Sequence, residues 1–261
     1  MIGIVLHLPC GVSNESRARI VGGDDTVKGS HPWFAGLLKV LVNDYSEAFC
    51  GGTLINDRYV LTAGHCIYNK DPKNISVALD FYNIRDFEET EMVHEIEKII
   101  VHKDYDDHPK NPKADIGLLK LKKPVNITQK KLPICLPTAD QTKFRRLTAV
   151  GWGRTSKSGS KPDHLQQVTI PQDDDNCELI YGKDFLKNHI CVRDKYSKKW
   201  KDVCKGDSGG PLVAKVGYKS YLAGIVSYST CLGTPASVFT RVSYYLKWIE
   251  ENTSDGVYCK A

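Results

Sequence analysis

Short apolar runs, broken every few residues by Gly, Pro, Asn and Asp, set the strongest limit on what this chain can become. Examples are "RYVLTA", "SVALDFY", "EIEKIIVH", "DIGLLKL", "LTAVGWG", "LQQVTI", "GPLVAKV", "YLAGIVSY" and "SVFTRV", all rich in Val, Ile, Leu and Tyr. Each is only a few residues long and bounded by turn residues, so they read as strands of sandwiches or barrels. One segment differs. In "SYYLKWIEEN" Tyr245, Trp248 and Ile249 recur at helical spacing, with Lys247, Glu250 and Glu251 elsewhere on the wheel, which predicts a closing helix. With 261 residues the chain can bury a sizeable core as one large all-β domain or two smaller units. The Pro-flanked "KKLPICLPTAD" marks a boundary between two such units, and "HKDYDDHPKNPKAD" and "RTSKSGSKPD" read as exposed loops.

Cysteine usage points to the compartment. Nine cysteines, none in a C-x-x-C pair, argue for disulfides formed under oxidising conditions rather than for a zinc or thioredoxin-type site. Four N-x-S/T sequons, at Asn14, Asn74, Asn126 and Asn252, agree with a secreted glycoprotein. The net charge of +5 is too weak to argue for nucleic acid, and no apolar run approaches the length of a membrane span. The opening "MIGIVLHLP" has no basic flank and is shorter than a usual signal peptide, so it reads as a leader remnant.

Three segments carry chemistry: "LTAGHC" with His65, "ADIGLLKL" with Asp115 and "GDSGGP" with Ser208. A serine hydroxyl is a poor nucleophile at neutral pH unless a base takes its proton. Histidine, titrating near neutrality, is suited to that task, and a buried carboxylate fixes its tautomer and stabilises the imidazolium. Every chain contains these residue types; their order and local contexts are what distinguish this one.

From about Ile20 to Asn252 the chain resembles the chymotrypsin-fold, trypsin-like serine proteases. The resemblance rests on "RIVGG", "CGGTLINDRYVLTAGHC", "DIGLLKL", "GWGRT", "GDSGGP" and "FTRV", in family order. It implies an all-β fold of two antiparallel six-stranded β-barrels, with the active site between them and a C-terminal helix. The implied layout is a leader remnant and propeptide over 1–19 and a protease domain over 20–253. Within it the barrels span about 20–131 and 132–242 and the helix about 243–253, followed by a tail at 254–261.

Carried onto matching positions, the resemblance makes Ser208 the nucleophile, His65 the general base and then acid, and Asp115 its orienter. In that family the three groups act together as one catalytic triad. The N–H groups of Gly206 and Ser208 would form the oxyanion hole. "RARIVGG" resembles an activation site: cleavage after Arg19 would free Ile20, whose ammonium pairs with Asp207 in the family. Asp202 matches the carboxylate at the base of the specificity pocket, which selects Arg or Lys because an uncharged guest leaves it buried and unpaired. Ser227, Tyr228 and Ser229 line one wall and Ser237 the other. Ser229 and Ser237 stand where glycine is usual, so two hydroxymethyl groups narrow the slot. Lys205 falls at the rim and, with "KYSKKWK", would make the entrance basic; a solvated lysine loop is the alternative reading. Gly64 departs from the alanine usual before the histidine and would loosen that turn.

The implied disulfides are Cys10–Cys135, Cys50–Cys66, Cys177–Cys191 and Cys204–Cys231. Leu147 and Ala214 replace both halves of another bridge found in many relatives. Cys259 is left over, either free or paired with a second chain or a small thiol. The family's calcium loop would lie near Glu88 and Glu91, but Phe81 occupies a usual ligand position, so neither metal nor cofactor is expected. The expectation is a secreted trypsin-like serine endopeptidase made as a zymogen and cutting after Arg or Lys. Implied partners are protein or peptide substrates, an activating protease and serpin or Kunitz-type inhibitors, without nucleic acid or a membrane span. Two alternatives stand beside it: a catalytically weak or inactive homologue acting as a binding protein, and an active protease with restricted, non-basic specificity.

Overall fold

Most of the apolar runs become strands, because their β-branched and large side chains can be buried on a pleated surface while the intervening Gly, Pro, Asn and Asp turn the chain. The computed structural model describes residues 9–13, 24–41, 44–84, 92–108, 113–144, 146–156, 158–195, 202–232 and 235–259. Arg19, Ile20, Asn14, Glu88, Glu91 and most of "KYSKKWK" lie outside them.

The first strand, β1 (Asp24–Asp25), is followed by β2 (Phe34–Leu41), β3 (Asp44–Leu54), β4 (Tyr59–Thr62), β5 (Ile75–Leu79), β6 (Val93–Val101) and β7 (Gly117–Leu121). Strands β2 to β7 close into an antiparallel barrel in the order β2-β3-β4-β7-β6-β5. Leu37, Leu61, Val77 and Leu118 are fully buried in its core. The remaining strands are β8 (Leu147–Gly151), β9 (Gln166–Ile170), β10 (His189–Val192), β11 (Pro211–Val216), β12 (Lys219–Tyr228) and β13 (Ser237–Arg241). They form a second antiparallel, barrel-like sheet of six strands, to which β1 adds at the edge in the order β1-β9-β8-β11-β12-β13-β10. Asp24 pairs with Gln167, so the start of the range expected for the first barrel hydrogen-bonds to the second sheet. Thr26 explains the crossing: its N–H bonds the Leu165 carbonyl, while its own carbonyl takes the Tyr82 hydroxyl.

Helix α1 (Gly64–Ile67) follows β4, α2 (Asp174–Tyr181) follows β9, and α3 (Leu246–Asn252) closes the fold after a tight turn at Val242–Tyr244. Val242, Tyr245 and Ile249 join the core of the first barrel, which also takes in Val213, Leu222 and Ile225 from the second sheet. The two sheets therefore meet through shared apolar packing, the term that dominates such contacts. The chain after α3 folds back on the first barrel: Tyr59 donates to Asp255 at 2.6 Å, Lys120 pairs with Asp255 at 2.9 Å, and the Val257 N–H reaches Asp57 at 2.7 Å.

All four implied disulfides are present. Cys10–Cys135 holds residues 9–13 on the second sheet, where Gly11 exchanges backbone hydrogen bonds with Pro133 and Ser220. Leu147 and Ala214 lie opposite each other on β8 and β11 and are packed in the core, which accounts for both cysteines of that bridge being absent together. Cys259 is half-buried, and burial pushes its thiol above the usual range. Among the described residues, no helix is long and apolar enough to cross a membrane.

Candidate active site

The site lies where the sheets meet. His65 sits on α1, immediately after β4, and Asp115 sits just before β7, the strand paired with β4. The two are 50 residues apart in sequence, yet the Asp115 carboxylate accepts from the His65 backbone N–H at 2.9 Å and meets His65 Nδ1 at 2.8 Å. With Nδ1 donating, Nε2 is left as an acceptor on the other side of the ring. The second sheet completes the grip on Asp115: the Ser227 hydroxyl donates to Oδ2 at 2.6 Å, and the Thr240 hydroxyl donates to the Asp115 carbonyl at 2.8 Å. The Asp115 side chain is 0% exposed against 29% for His65.

Electrostatics follow from that enclosure. Desolvation acts to lower the His65 pKa, but its hydrogen bond to Asp115 and the charge of that carboxylate outweigh it, so the imidazole sits above its usual value. Desolvation acts to raise Asp115, while His65, Ser227 and the His65 N–H together hold it below the usual carboxylate range. Each partner thus stabilises the charged form of the other.

Ser208 lies in the turn before β11. Gly206 and Gly209 on either side of it have φ of +106° and +76°, a backbone region open to glycine and strained for other residues. Gly209 is also a point of close approach: a Cβ there would fall 2.2 Å from Thr62 Oγ1 and 2.5 Å from the Gly51 carbonyl oxygen. The Ser208 carbonyl accepts from the Gly51 N–H at 2.8 Å, and the Gly209 N–H reaches the Val226 carbonyl at 2.9 Å. These contacts set the serine turn against β3, β12 and Thr62 at the end of β4, three residues before His65. Gly64 has a related cause. A Cβ at that position would lie 2.9 Å from the Tyr105 ring, so this glycine admits a tyrosine beside the His65–Asp115 pair rather than loosening the turn.

Asp207, the neighbour of Ser208, accepts from the Gly153 N–H at 2.7 Å and the Cys204 N–H at 2.8 Å. Desolvation pushes its carboxyl up to about 6 despite those two donors, and the negative charge of Asp202 adds to the rise. Asp202 accepts from the Ser229 hydroxyl at 2.9 Å, from the Ser237 hydroxyl, and from the Val203 N–H at 2.8 Å. Ser229 and Ser237 therefore face the Asp202 carboxylate. The Ser227 hydroxyl, expected in the pocket wall, is directed at Asp115 instead. Tyr228 is half-buried against Cys177, Phe185 and Val238. Lys205 is exposed, and its carbonyl takes the Arg154 N–H.

Asn74 and Asn126 are exposed, whereas the Asn252 amide bonds the Trp248 carbonyl within α3. Phe81 is buried against Trp152 with ring centroids 4.7 Å apart. Among the described residues the one His, Cys and carboxylate group close enough to hold an ion is Cys50, His65 and Cys66, and its two sulfurs are joined in a disulfide that offers no thiolate. Thr62, Tyr105, Thr240 and the role of Ser227 escaped sequence reasoning; the glycine at position 64 was the one local sign that a bulky neighbour approaches there.

Two barrel-like sheets meeting at a His–Asp pair with a buried carboxylate and at a glycine-rich serine turn define the chymotrypsin fold class. The Trypsin family model matches residues 20–249, and the chain belongs to that family of serine proteases. It is 37% identical over 241 residues to Trypsin-1 of Astacus astacus, covering 89% of this chain and 99% of that protein. It is 36% identical over 242 residues to coagulation factor IX of Oryctolagus cuniculus, covering 90% and 85%. It is 33% identical over 267 residues to phenoloxidase-activating factor 3 of Holotrichia diomphalia, covering 93% and 74%.

Proposed function

We propose that the protein is a secreted serine endopeptidase, made as a zymogen, that cleaves after basic residues through an acyl-enzyme. The observation that carries this reading is the His65–Asp115 pair, closed from the second sheet by Ser227 and adjoining the Ser208 turn. In the proposed reaction His65 Nε2 takes the Ser208 proton as Oγ attacks the scissile carbonyl. The N–H groups of Gly206 and Ser208 then receive the oxyanion, and the buried Asp115 stabilises the imidazolium. His65 returns the proton to the leaving amine, and water hydrolyses the ester by the same steps.

Cleavage after Arg19 would free the Ile20 ammonium to pair with Asp207, whose carboxylate now has only backbone donors among the described residues. Such a pairing would reward one arrangement of the oxyanion turn over another, because a buried carboxylate without a cation is costly. Cys10–Cys135 would keep the cut propeptide attached. The exposed Asn74 and Asn126 are the sequons best placed to carry glycans. A second reading, an active protease with non-basic preference, draws on the two serine hydroxyls that cover Asp202.

The test is to cleave after Arg19, label with a serine-reactive phosphonate and profile a peptide library. An adduct on Ser208 with cleavage after Lys or Arg is expected. No adduct would sink the enzyme reading in favour of a non-catalytic binding homologue.

A further inference from the structure

The floor of the proposed specificity pocket is not a bare carboxylate. Ser229 Oγ donates to Asp202 Oδ2 at 2.9 Å, Ser237 Oγ donates to Asp202 Oδ1, and the two hydroxyl oxygens are themselves 2.9 Å apart. Two donors that close together, each on a different oxygen of one carboxylate, must span the edge between those oxygens. That edge is where a guanidinium fork docks, since its two parallel N–H bonds need one oxygen each. Ser237 lies on β13 and Ser229 just past the end of β12, so the hydroxyl pair also ties the two walls of the slot across Asp202. The Cys231 N–H donates to Ser229 Oγ at 2.9 Å and holds that hydroxyl in place beside the Cys204–Cys231 disulfide.

Each serine hydroxyl has one proton and two lone pairs. With both protons given to Asp202, Ser237 is buried and the partly exposed Ser229 Oγ keeps one lone pair beyond the one that takes the Cys231 N–H, carrying the carboxylate's negative potential one layer outward. A lysine ammonium is a compact charge with three donors, and its side chain is shorter than that of arginine. It suits a layer of hydroxyl oxygens standing above the anion. An arginine would have to break both serine–carboxylate bonds before its fork could seat.

We propose that Ser229 and Ser237 form a hydroxyl layer over Asp202 that makes this protease select lysine over arginine before the scissile bond. The inference rests on the reading of Asp202 as the floor of a basic-specific pocket. It assigns the choice between the two basic residues to serines where the family resemblance leads one to expect glycine.

The experiment compares kcat/KM of the Arg19-cleaved protease on paired peptide amides that differ only in Lys or Arg before the cut, with active sites counted by phosphonate titration. Lysine is expected to be favoured at least fivefold. The double variant Ser229→Gly with Ser237→Gly should move the Lys/Arg ratio toward arginine by tenfold or more. Ser237→Ala, which keeps bulk and removes one hydroxyl, should weaken lysine turnover without a matching gain for arginine. Inhibition by benzamidine, a planar forked cation, relative to butylamine should follow the same order across the variants and so reports the pocket independently of turnover. Equal or better cleavage after arginine by the wild-type chain, with full titration, overturns the hydroxyl-layer proposal alone. Full titration with cleavage only after uncharged residues overturns the basic-pocket reading beneath it, and absence of titration overturns the protease reading.

Discussion

In the uncleaved chain the carboxylate of Asp207 should act as a measurable drain on stability at neutral pH. Its folded-state pKa is raised from 3.8 to about 6, chiefly by desolvation. Below 3.8 the folded and unfolded chains both hold the proton, and the drain is absent. As pH rises, the unfolded chain releases its proton first, so folded stability falls until the pH passes about 6 and then levels off. The size of the shift corresponds to about 3 kcal/mol. Asp207→Asn removes the titration, so the stability difference between wild type and variant should change by about 2.4 kcal/mol between pH 4 and pH 8, part of the fall having already occurred by pH 4. The fixed cost of turning an amide N–H toward a backbone donor is present at every pH and drops out of that change. So do the opposite trends from Asp255, held at about 2 mainly by its hydrogen bonds to Tyr59 and Lys120, and from Asp173, lowered by Lys195 and Arg193 against desolvation. Urea unfolding of both chains in an Arg19→Ala, Ser208→Ala background supplies the numbers without activation or self-digestion. A difference that stayed flat within about 0.5 kcal/mol across this range would refute the reasoning, because a carboxyl pKa raised on folding must appear as a pH-dependent stability difference. On the proposed activation, cleavage after Arg19 should abolish the slope by supplying the missing cation.

Other outcomes follow from the same geometry. Only neutral His65 can accept a proton, so kcat/KM should fall as pH drops through a value above 6.5, and a midpoint at or below the ordinary histidine value would count against the Asp115 pairing. Ser227→Ala deletes a 2.6 Å bond to a buried carboxylate, a loss of about 1.5–3 kcal/mol. Steady-state kinetics should show that loss as a drop in kcat of tenfold or more with KM nearly unchanged, and a change confined to KM would contradict it. Gly209→Ala places a methyl 2.2 Å from Thr62 Oγ1 at a positive φ, and thermal unfolding should register a loss of about 3 kcal/mol or more. Replacing Cys10 and Cys135 together by serine should cost about 2–4 kcal/mol. After activation, the same double variant should release the propeptide on a non-reducing gel, whereas the wild-type chain keeps it.

Much of the fold was legible because strand formation here is a local matter. "RYVLTA" contains β4, "EIEKIIVH" lies in β6 apart from its last residue, His102, and "SVFTRV" contains β13. The closing helix was equally plain, since Tyr245 and Ile249 fall on one face and both are buried. Other features had no local signature. Two residues at Asp24–Asp25 are too short to carry any periodicity, and their place beside β9 follows from the chain crossing between sheets. The tail after Asn252 gave no sign that it would dock on Tyr59, Asp57 and Lys120.

The chemical residues divide in the same way. His65, Asp115 and Ser208 each announce themselves through the few residues around them, and the four disulfides followed from family resemblance. By itself, then, the amino-acid order determined an all-β chain, cysteines that form disulfides and a serine-protease motif, because strand patterning, cysteine usage and turn glycines act over a handful of neighbouring residues. Tertiary structure alone decided that Ser227 serves Asp115 from 112 residues away, and that Ser229 and Ser237 turn their hydroxyls onto Asp202 from 27 and 35 residues away. Those choices depend on how two closed sheets come together and on which lone pair each hydroxyl can reach across the junction. Hydrogen bonds of that range repeat with no period, so no local pattern records them.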